Sequence, residues 1–547
     1  MTNSPLDSKK RFISWPVVAL MDFVTVIGFD DLIYNFHNQG LAIVTTWIIM
    51  ILLFVWPYEM MVGQLGGTFN EDGGGLASWV RATNGDLAGY VVAFFYWIAG
   101  LPYVVDVANS VVVSISWLVK GNGNLQNYMP TIVFALFTAI VFLVFIWFQH
   151  FFKNRSLEVL STIGGIAMFV MTILFVVMTV AALIKGRHIA TQPFNLHSFI
   201  PNLSGGTNLW HFLSTFGLLI FAINGAELAA PYVKEMKNGK KDFPKAMMML
   251  LIMTIFLTVF GSFSLAVFFN AHNLPYDLKM NGSYYAFQAL GREFGIGNTF
   301  MYTFAVSQAV YMFAQLAVIL DASTRIFLSD VALKYLPKSL GKLNDDGLPI
   351  NGYWLTTGIV SLVLFLSNWL PSINDMFNWL LNINGIVSPF VTSFVFFAFM
   401  RIRQRSKDFP SAYVFIKNDK LAWLVGAWCF VITIVFSILG IFPTDAKAGT
   451  MLYDKELILN IVIPVIFVAL SVLLPYLAWV ERNALQKALR RALPFAVIAF
   501  GIGAYIVIRN GLNDQIWIAL GAWVVVVAIS VLIYWMAFGL FRKHQTR

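Results

Sequence analysis

Apolar residues in this chain gather into long blocks separated by short polar stretches. A helix rising 1.5 Å per residue needs about 20 apolar residues to cross a ~30 Å hydrocarbon layer. Fourteen blocks meet that length, at about 14–36, 40–63, 87–118, 129–149, 158–185, 210–233, 246–270, 297–327, 353–370, 376–400, 421–442, 457–480, 492–508 and 514–540. The pattern predicts an all-α integral membrane protein with about 14 transmembrane helices.

Composition agrees: 59% of the 547 residues are hydrophobic and 12% are charged, against roughly a quarter charged in ordinary soluble domains. The first residues, "MTNSPLDSKKRF", are polar, and the block after them is long enough to span and has no small-residue cleavage site, so the first span is expected to be retained. The single cysteine, Cys429, lies in an apolar block, which excludes a disulfide framework.

The net charge of +9 raises the question of an anionic partner, but its distribution follows the spans. With the N-terminus inside, alternate segments hold 28 of the 36 Lys and Arg residues. The richest are "KEMKNGKKDFPK" (234–245), "RIRQRSKDF" (401–409) and "ERNALQKALRR" (481–491), and no outer loop has more than two. That asymmetry is the positive-inside signature. It predicts a multi-pass cell-membrane protein in the lipid bilayer, both termini cytoplasmic, and no nucleic-acid partner.

Two spans carry a glycine followed two positions later by an acid: Gly28 and Asp30 in "VIGFDD", Gly225 and Glu227 in "AINGAELAAP". Broken helices are tolerated at membrane depth where protein or water satisfies the freed backbone. The two sit in spans 1 and 6, the heads of two groups of five, as in an inverted repeat that builds a binding site from discontinuous helices. The expected organisation is a tail at 1–13, a core at 14–400 with repeats at 14–185 and 210–400, four further helices at 421–540, and a cytoplasmic tail at 541–547.

The acids placed within spans are Asp22, Asp30, Asp31, Glu59, Asp106, Glu227 and Asp321; the one basic residue is Arg325. A mid-span Asp costs about 2.5–3.5 kcal/mol on translocon scales, so such acids line cavities or find partners. Asp321 is four residues before Arg325 and is expected to pair with it. Glu59, in "WPYEMMVGQ", is placed to bond backbone freed around Pro57. Asp106, with no basic residue within a turn, is a candidate for lining the pathway. Asp30 and Asp31 would diverge by about 100° on a helix, so at most one is expected to touch a substrate. Tyr96, Trp97 and Tyr103 could close a site around a small polar molecule, with belt or packing roles as the alternative. The seven histidines fall in loops, tails or span ends, and no "GxxxxGK[ST]" occurs. No cofactor, metal centre or nucleotide site is therefore expected, no enzyme is indicated, and energy must come from a gradient or from exchange.

The stretches "EDGGGLASWV" (71–80), "FAINGAELAAPYVKEMKNGKKDFPKAM" (221–247) and "DASTRIFLSDVALKYLPKSLGKLNDDGLPINGYW" (321–354) resemble the amino acid/polyamine/organocation superfamily. Within it the chain is most similar to the bacterial glutamate/GABA antiporter group, over about residues 14–480. The resemblance implies a LeuT-like 5+5 inverted repeat with broken helices 1 and 6. It further implies substrate held by backbone at Ile27, Gly28 and Phe29 and at Ile223, Asn224, Gly225 and Ala226, with Glu227 as a coupling or gating carboxylate. Orphan N–H groups at helix ends suit a carboxylate, and orphan carbonyls an ammonium group.

The chain departs from the family in three places: Gln64 stands where many relatives place an acid, "IGFDD" replaces the small-residue signature of the first break, and spans 13 and 14 exceed the usual twelve. Its tail "FRKHQTR" is short. The expected activity is secondary active transport of an amino acid by alternating access, as exchange for an amino acid or amine or coupled to protons. The acid-rich interior tilts the expectation toward a zwitterionic or cationic substrate, the family group toward acidic amino acids, and an ion channel is the more remote alternative.

Overall fold

The computed structural model describes residues 12–482 except 72–74, 124–128, 202, 204–205, 328–334, 341, 343–349, 368–369, 371–372 and 445. The predicted spans 13 and 14 lie outside the described residues. The chain is all-helical: α1 (Trp15–Val26), α2 (Phe29–Gln39), α3 (Ile43–Met50), α4 (Trp56–Thr68), α5 (Gly75–Asn84), α6 (Asp86–Ala99), α7 (Leu101–Lys120), α8 (Thr131–Ile184), α9 (Gly206–Ser214), α10 (Phe216–Phe221), α11 (Gly239–Ile255), α12 (Ser262–Phe268), α13 (Leu278–Glu293), α14 (Thr299–Phe327), α15 (Ile350–Ser367), α16 (Ile373–Gln404), α17 (Asp419–Leu439) and α18 (Met451–Arg482). The described residues within 1–331 and 356–445 form one compact unit, and those within 332–355 and 446–547 another. Among the described residues nine helical stretches are long and apolar enough to cross a membrane.

Both expected breaks are present. α1 ends where Ile27 turns extended, with φ −147° and ψ 132°, and α2 begins after an extended Gly28. In span 6, α10 stops at Phe221 and a 3-10 helix, Ala226–Glu235, follows a left-handed Gly225 with φ 110°. That φ is open to glycine at little cost. Pro231 lies inside the 3-10 helix and brings no N–H, which works against an α-helical ladder there. Pro57, by contrast, sits in the first turn of α4 behind a π-helical turn at Ile51–Val55.

α1 packs against α8, α11 and the 3-10 helix, and α4 lies along α11. A β carbon on Gly66 would lie 2.3 Å from Cε1 of Phe243, so the α4–α11 approach depends on the missing side chain. α10 and α16 meet similarly: a β carbon on Gly217 would lie 2.5 Å from the Gly385 carbonyl oxygen. The outward surface is apolar in helical register. Leu421, Leu424, Trp428, Val431, Val435 and Ile438 on α17 are all exposed, an apolar stripe suited to lipid.

The structure departs from the expected spans at one place. Spans 129–149 and 158–185 were expected as two helices, yet α8 runs unbroken from Thr131 to Ile184 for 54 residues. Its length, about 80 Å at 1.5 Å per residue, exceeds what one crossing needs. The intervening "HFFKNRSLE" contains neither Gly nor Pro, so nothing in the local chain stops the helix. Two short helices, α5 and α13, also lie between the predicted spans.

Candidate functional site

The two breaks touch. A β carbon on Gly225 would stand 3.5 Å from the Thr25 carbonyl oxygen and 3.7 Å from Cγ2 of Val26, so the second break leans on the last turn of α1. Each break is held by a tyrosine from another helix and has a carboxylate of its own. At the first, the Gly28 amide donates to Asp31 Oδ2 at 2.8 Å, and the Tyr311 hydroxyl, from α14, donates to the Ile27 carbonyl at 2.9 Å. At the second, the Gly225 and Ala226 amides donate to the Tyr58 hydroxyl oxygen at 2.9 and 3.1 Å. That hydroxyl, from α4, in turn donates to Glu227. The phenol oxygen is thereby saturated, with two bonds accepted and one donated.

Other backbone groups at the breaks are unfilled. The carbonyls of Ala222, Ile223 and Asn224 accept no hydrogen bond among the described residues, and the amides of Phe29 and Asp30, opening α2, meet no acceptor. Three carbonyls on one side and two amides on the other are complementary to an ammonium and a carboxylate respectively.

The adjacent acids diverge as the helical geometry requires. Asp31 is buried and turned back onto Gly28. Asp30 is partly exposed and accepts from Ser283 on α13 and Gln308 on α14. Asp106 is buried, lies within the electrostatic reach of both, and its Oδ1 has no hydrogen-bond partner among the described residues.

Tyr96 is buried with its hydroxyl in reach of Glu227, and Tyr103 accepts from Gln315 and packs edge-on against Phe221, ring centres 5.0 Å apart. Trp97 is taken up in packing: it stacks on Phe327 at 4.3 Å and donates to Thr356 at 3.1 Å. Asn224 donates to Ser388 and Thr392 of α16 at 2.7 and 3.1 Å.

One expectation changes. Glu59 does not bond freed backbone around Pro57; it is buried with neither carboxylate oxygen partnered among the described residues, because the chain around Pro57 stays helical and frees no donor toward it. Asp22 is likewise buried and unpartnered, within the field of Glu59 and Glu227. Asp321 accepts from Tyr232 at 2.7 Å; the Arg325 side chain lies outside the described residues.

Sequence reasoning missed Tyr58, Tyr311, Ser283 and Gln308. Gln308, Tyr311 and Gln315 follow one another at spacings of three and four along α14, a polar stripe on an otherwise apolar helix that helical periodicity would have exposed. Tyr58 lies beside Glu59 in "WPYEMM", and as an uncharged aromatic in an apolar block it carries no signal that sets it apart from belt tyrosines.

Paired broken helices inside a lipid-faced bundle define a multi-pass secondary transporter. The fold is shared with a solved transporter structure, that of MhsT in complex with L-phenylalanine, at TM-score 0.55 and 12% identity over 79% of this chain and 100% of that one; MhsT is a LeuT-fold transporter. Residues 13–474 match the amino acid permease family, and the chain belongs to it. It is a secondary amino acid transporter and not an enzyme.

The aspartate/glutamate permease AcaP of Lactococcus lactis subsp. cremoris is 37% identical over 483 residues, 87% of this chain and 97% of that protein. The glutamate/gamma-aminobutyrate antiporter of Lactococcus lactis subsp. lactis is 27% identical over 219 residues, 39% of this chain and 41% of that one.

Proposed function

We propose that the protein carries acidic amino acids of the aspartate and glutamate class across a bacterial cell membrane by alternating access, by exchange or coupled to protons. One observation carries the substrate assignment: the 37% identity that extends along 97% of an aspartate/glutamate permease. The acid-rich interior had favoured a zwitterionic or cationic substrate, yet the two acids nearest the first break are committed to protein donors, Asp31 to Gly28 and Asp30 to Ser283 and Gln308. Those donors leave the charges in place, so the substrate's second carboxylate enters with a proton or lies away from both acids.

In this reading the substrate ammonium sits on the carbonyls of Ala222, Ile223 and Asn224, and the α-carboxylate on the amides of Phe29 and Asp30. Ile27, Gly28, Gly225 and Ala226 shape the breaks, Asp30 faces the pathway, and Tyr96 and Asp106 complete its wall. Glu227 couples the second break to movement. The repeats fall at 14–185 and 210–400 with both termini cytoplasmic.

The test is counterflow in proteoliposomes preloaded with aspartate, glutamate, gamma-aminobutyrate, lysine or agmatine. Preloaded aspartate or glutamate should accelerate uptake of labelled glutamate. Acceleration by lysine or agmatine alone would replace the acidic assignment with a cationic one, and no acceleration by any of them would favour a channel. Asp30→Asn and Asp31→Asn are then compared across pH; wild-type affinity and pH dependence in both would remove Asp30 and Asp31 from the site.

A further inference from the structure

Away from the breaks, the ends of α4, the 3-10 helix and α11 border an open pocket of about 420 Å³ lined by Asn70, Glu71, Lys234, Lys237, Asn238 and Lys240, among others. None of the residues at either break lines it. The ammonium groups of Lys234, Lys237 and Lys240 have no ion pair or hydrogen bond among the described residues, whereas nearby Lys245 pairs with Asp242 at 2.9 Å. Glu71 is the one acid on the lining, so it leaves two positive charges unbalanced. A positive-inside signal needs basic residues in this loop, but it does not need three of them around one concavity.

The frame that carries the lysines is fixed. A β carbon on Gly239 would lie 2.7 Å from Val233 Cγ1 and 2.8 Å from the Val233 carbonyl oxygen, and one on Gly67 would lie 3.1 Å from the Lys240 carbonyl oxygen. On the other side the Ile13 amide donates to the Glu235 carbonyl at 2.9 Å. All three side chains reach solvent, and the backbone holds them around one opening, where three like charges together favour an anion. Lysine suits phosphate as a point charge, with three donors on a flexible stem.

We propose that this pocket binds a phosphate-bearing anion, either a lipid headgroup or a soluble phosphate ester. Because its lining comes from the end of α4 and from the segment that joins the 3-10 helix to α11, a bound anion ties the chain that follows the second break to α4.

The test uses the purified full-length protein. One arm measures retention of phosphatidylglycerol against phosphatidylcholine by native mass spectrometry. The other measures ATP and inorganic phosphate binding by thermal shift. Both are repeated on the variant combining Lys234→Gln, Lys237→Gln and Lys240→Gln, on the three single variants and on the corresponding triple Arg variant. The expected result is binding in one arm that weakens about tenfold or more in the triple Gln variant, survives in the Arg variant, and falls as salt rises. Phosphatidylglycerol retention identifies the lipid source, and ATP or phosphate stabilisation the soluble one. Wild-type protein that binds neither, or binding that the triple Gln variant keeps, overturns the proposal. If the triple variant does not fold, graded weakening across the single variants supports the proposal, and unchanged binding in all three overturns it. Transport activity enters neither arm, so the outcome is independent of substrate identity.

Discussion

Replacing Tyr58 by phenylalanine would remove one oxygen and leave the ring. That oxygen accepts from two backbone amides, Gly225 and Ala226, and donates to Glu227, so the loss falls on three groups at once. Each buried donor or acceptor left unsatisfied costs about 1–3 kcal/mol. With partial relaxation, the substitution should cost about 3 kcal/mol at the break. Tyr311→Phe removes one bond to the Ile27 carbonyl and should cost about 1 kcal/mol.

At roughly tenfold per 1.4 kcal/mol, the effects on substrate affinity reach at most about a hundredfold and about fivefold, the limits in which the whole cost falls on the substrate-bound state. Substrate titration of uptake in proteoliposomes gives KM and maximal rate for each variant, with thermal unfolding as the control for folding. The reasoning requires Tyr58→Phe to raise KM well beyond Tyr311→Phe while both remain folded. A Tyr58→Phe protein with wild-type KM and rate would refute the view that this phenol sets the geometry of the second break.

Gly217→Ala puts a β carbon 2.5 Å from a backbone carbonyl oxygen of α16 and should lower the unfolding temperature, whereas Gly358→Ala, with open space around it, should be neutral or stabilising by up to ~1 kcal/mol; thermal unfolding separates the two. Asp31→Asn weakens the acceptor for the Gly28 amide and should destabilise by about 1 kcal/mol, measured by the same assay. Gln64 accepts from the Phe415 amide at 3.0 Å and donates to Ser411 at 3.4 Å, so Gln64→Ala should loosen the 405–418 loop and speed its limited proteolysis. Tyr285, on α13 outside the predicted spans, is held above the usual phenol range by burial and by its hydrogen bond to Asp277. Its contribution to stability should be full below about pH 10, the unfolded phenol value, and be lost as pH rises through the higher folded value; Tyr285→Phe should abolish that dependence in a pH series of unfolding curves.

The breaks were legible because their determinants are local: an extended Ile27, a left-handed Gly225 and an acid two residues beyond each glycine all lie within a few positions. What holds the breaks was not legible. Tyr58 and Glu227 are 169 residues apart, and Ser283 and Asp30 are 253 apart, so no local pattern links them. Glu59 illustrates the opposite error, since a nearby proline suggested freed backbone while the chain continued into α4 with its proline in the first turn. The continuity of α8 was illegible for a related reason. Charge in "HFFKNRSLE" implied a loop, but the stretch has no Gly or Pro to stop the helix, and its Asn154 and Ser156 do not end it.

The unfilled backbone at the two breaks bears on the kinetics of turnover. While the centre is sealed from both sides, the bare carbonyls of Ala222, Ile223 and Asn224 and the bare amides of Phe29 and Asp30 are polar groups away from solvent, each costing on the order of a few kcal/mol. In the proposed binding mode an amino acid fills both sets, and an unloaded carrier lacks that match. The return stroke without cargo should therefore be the slow half of the cycle, and one-for-one swapping should outpace net accumulation for as long as those groups stay unmatched.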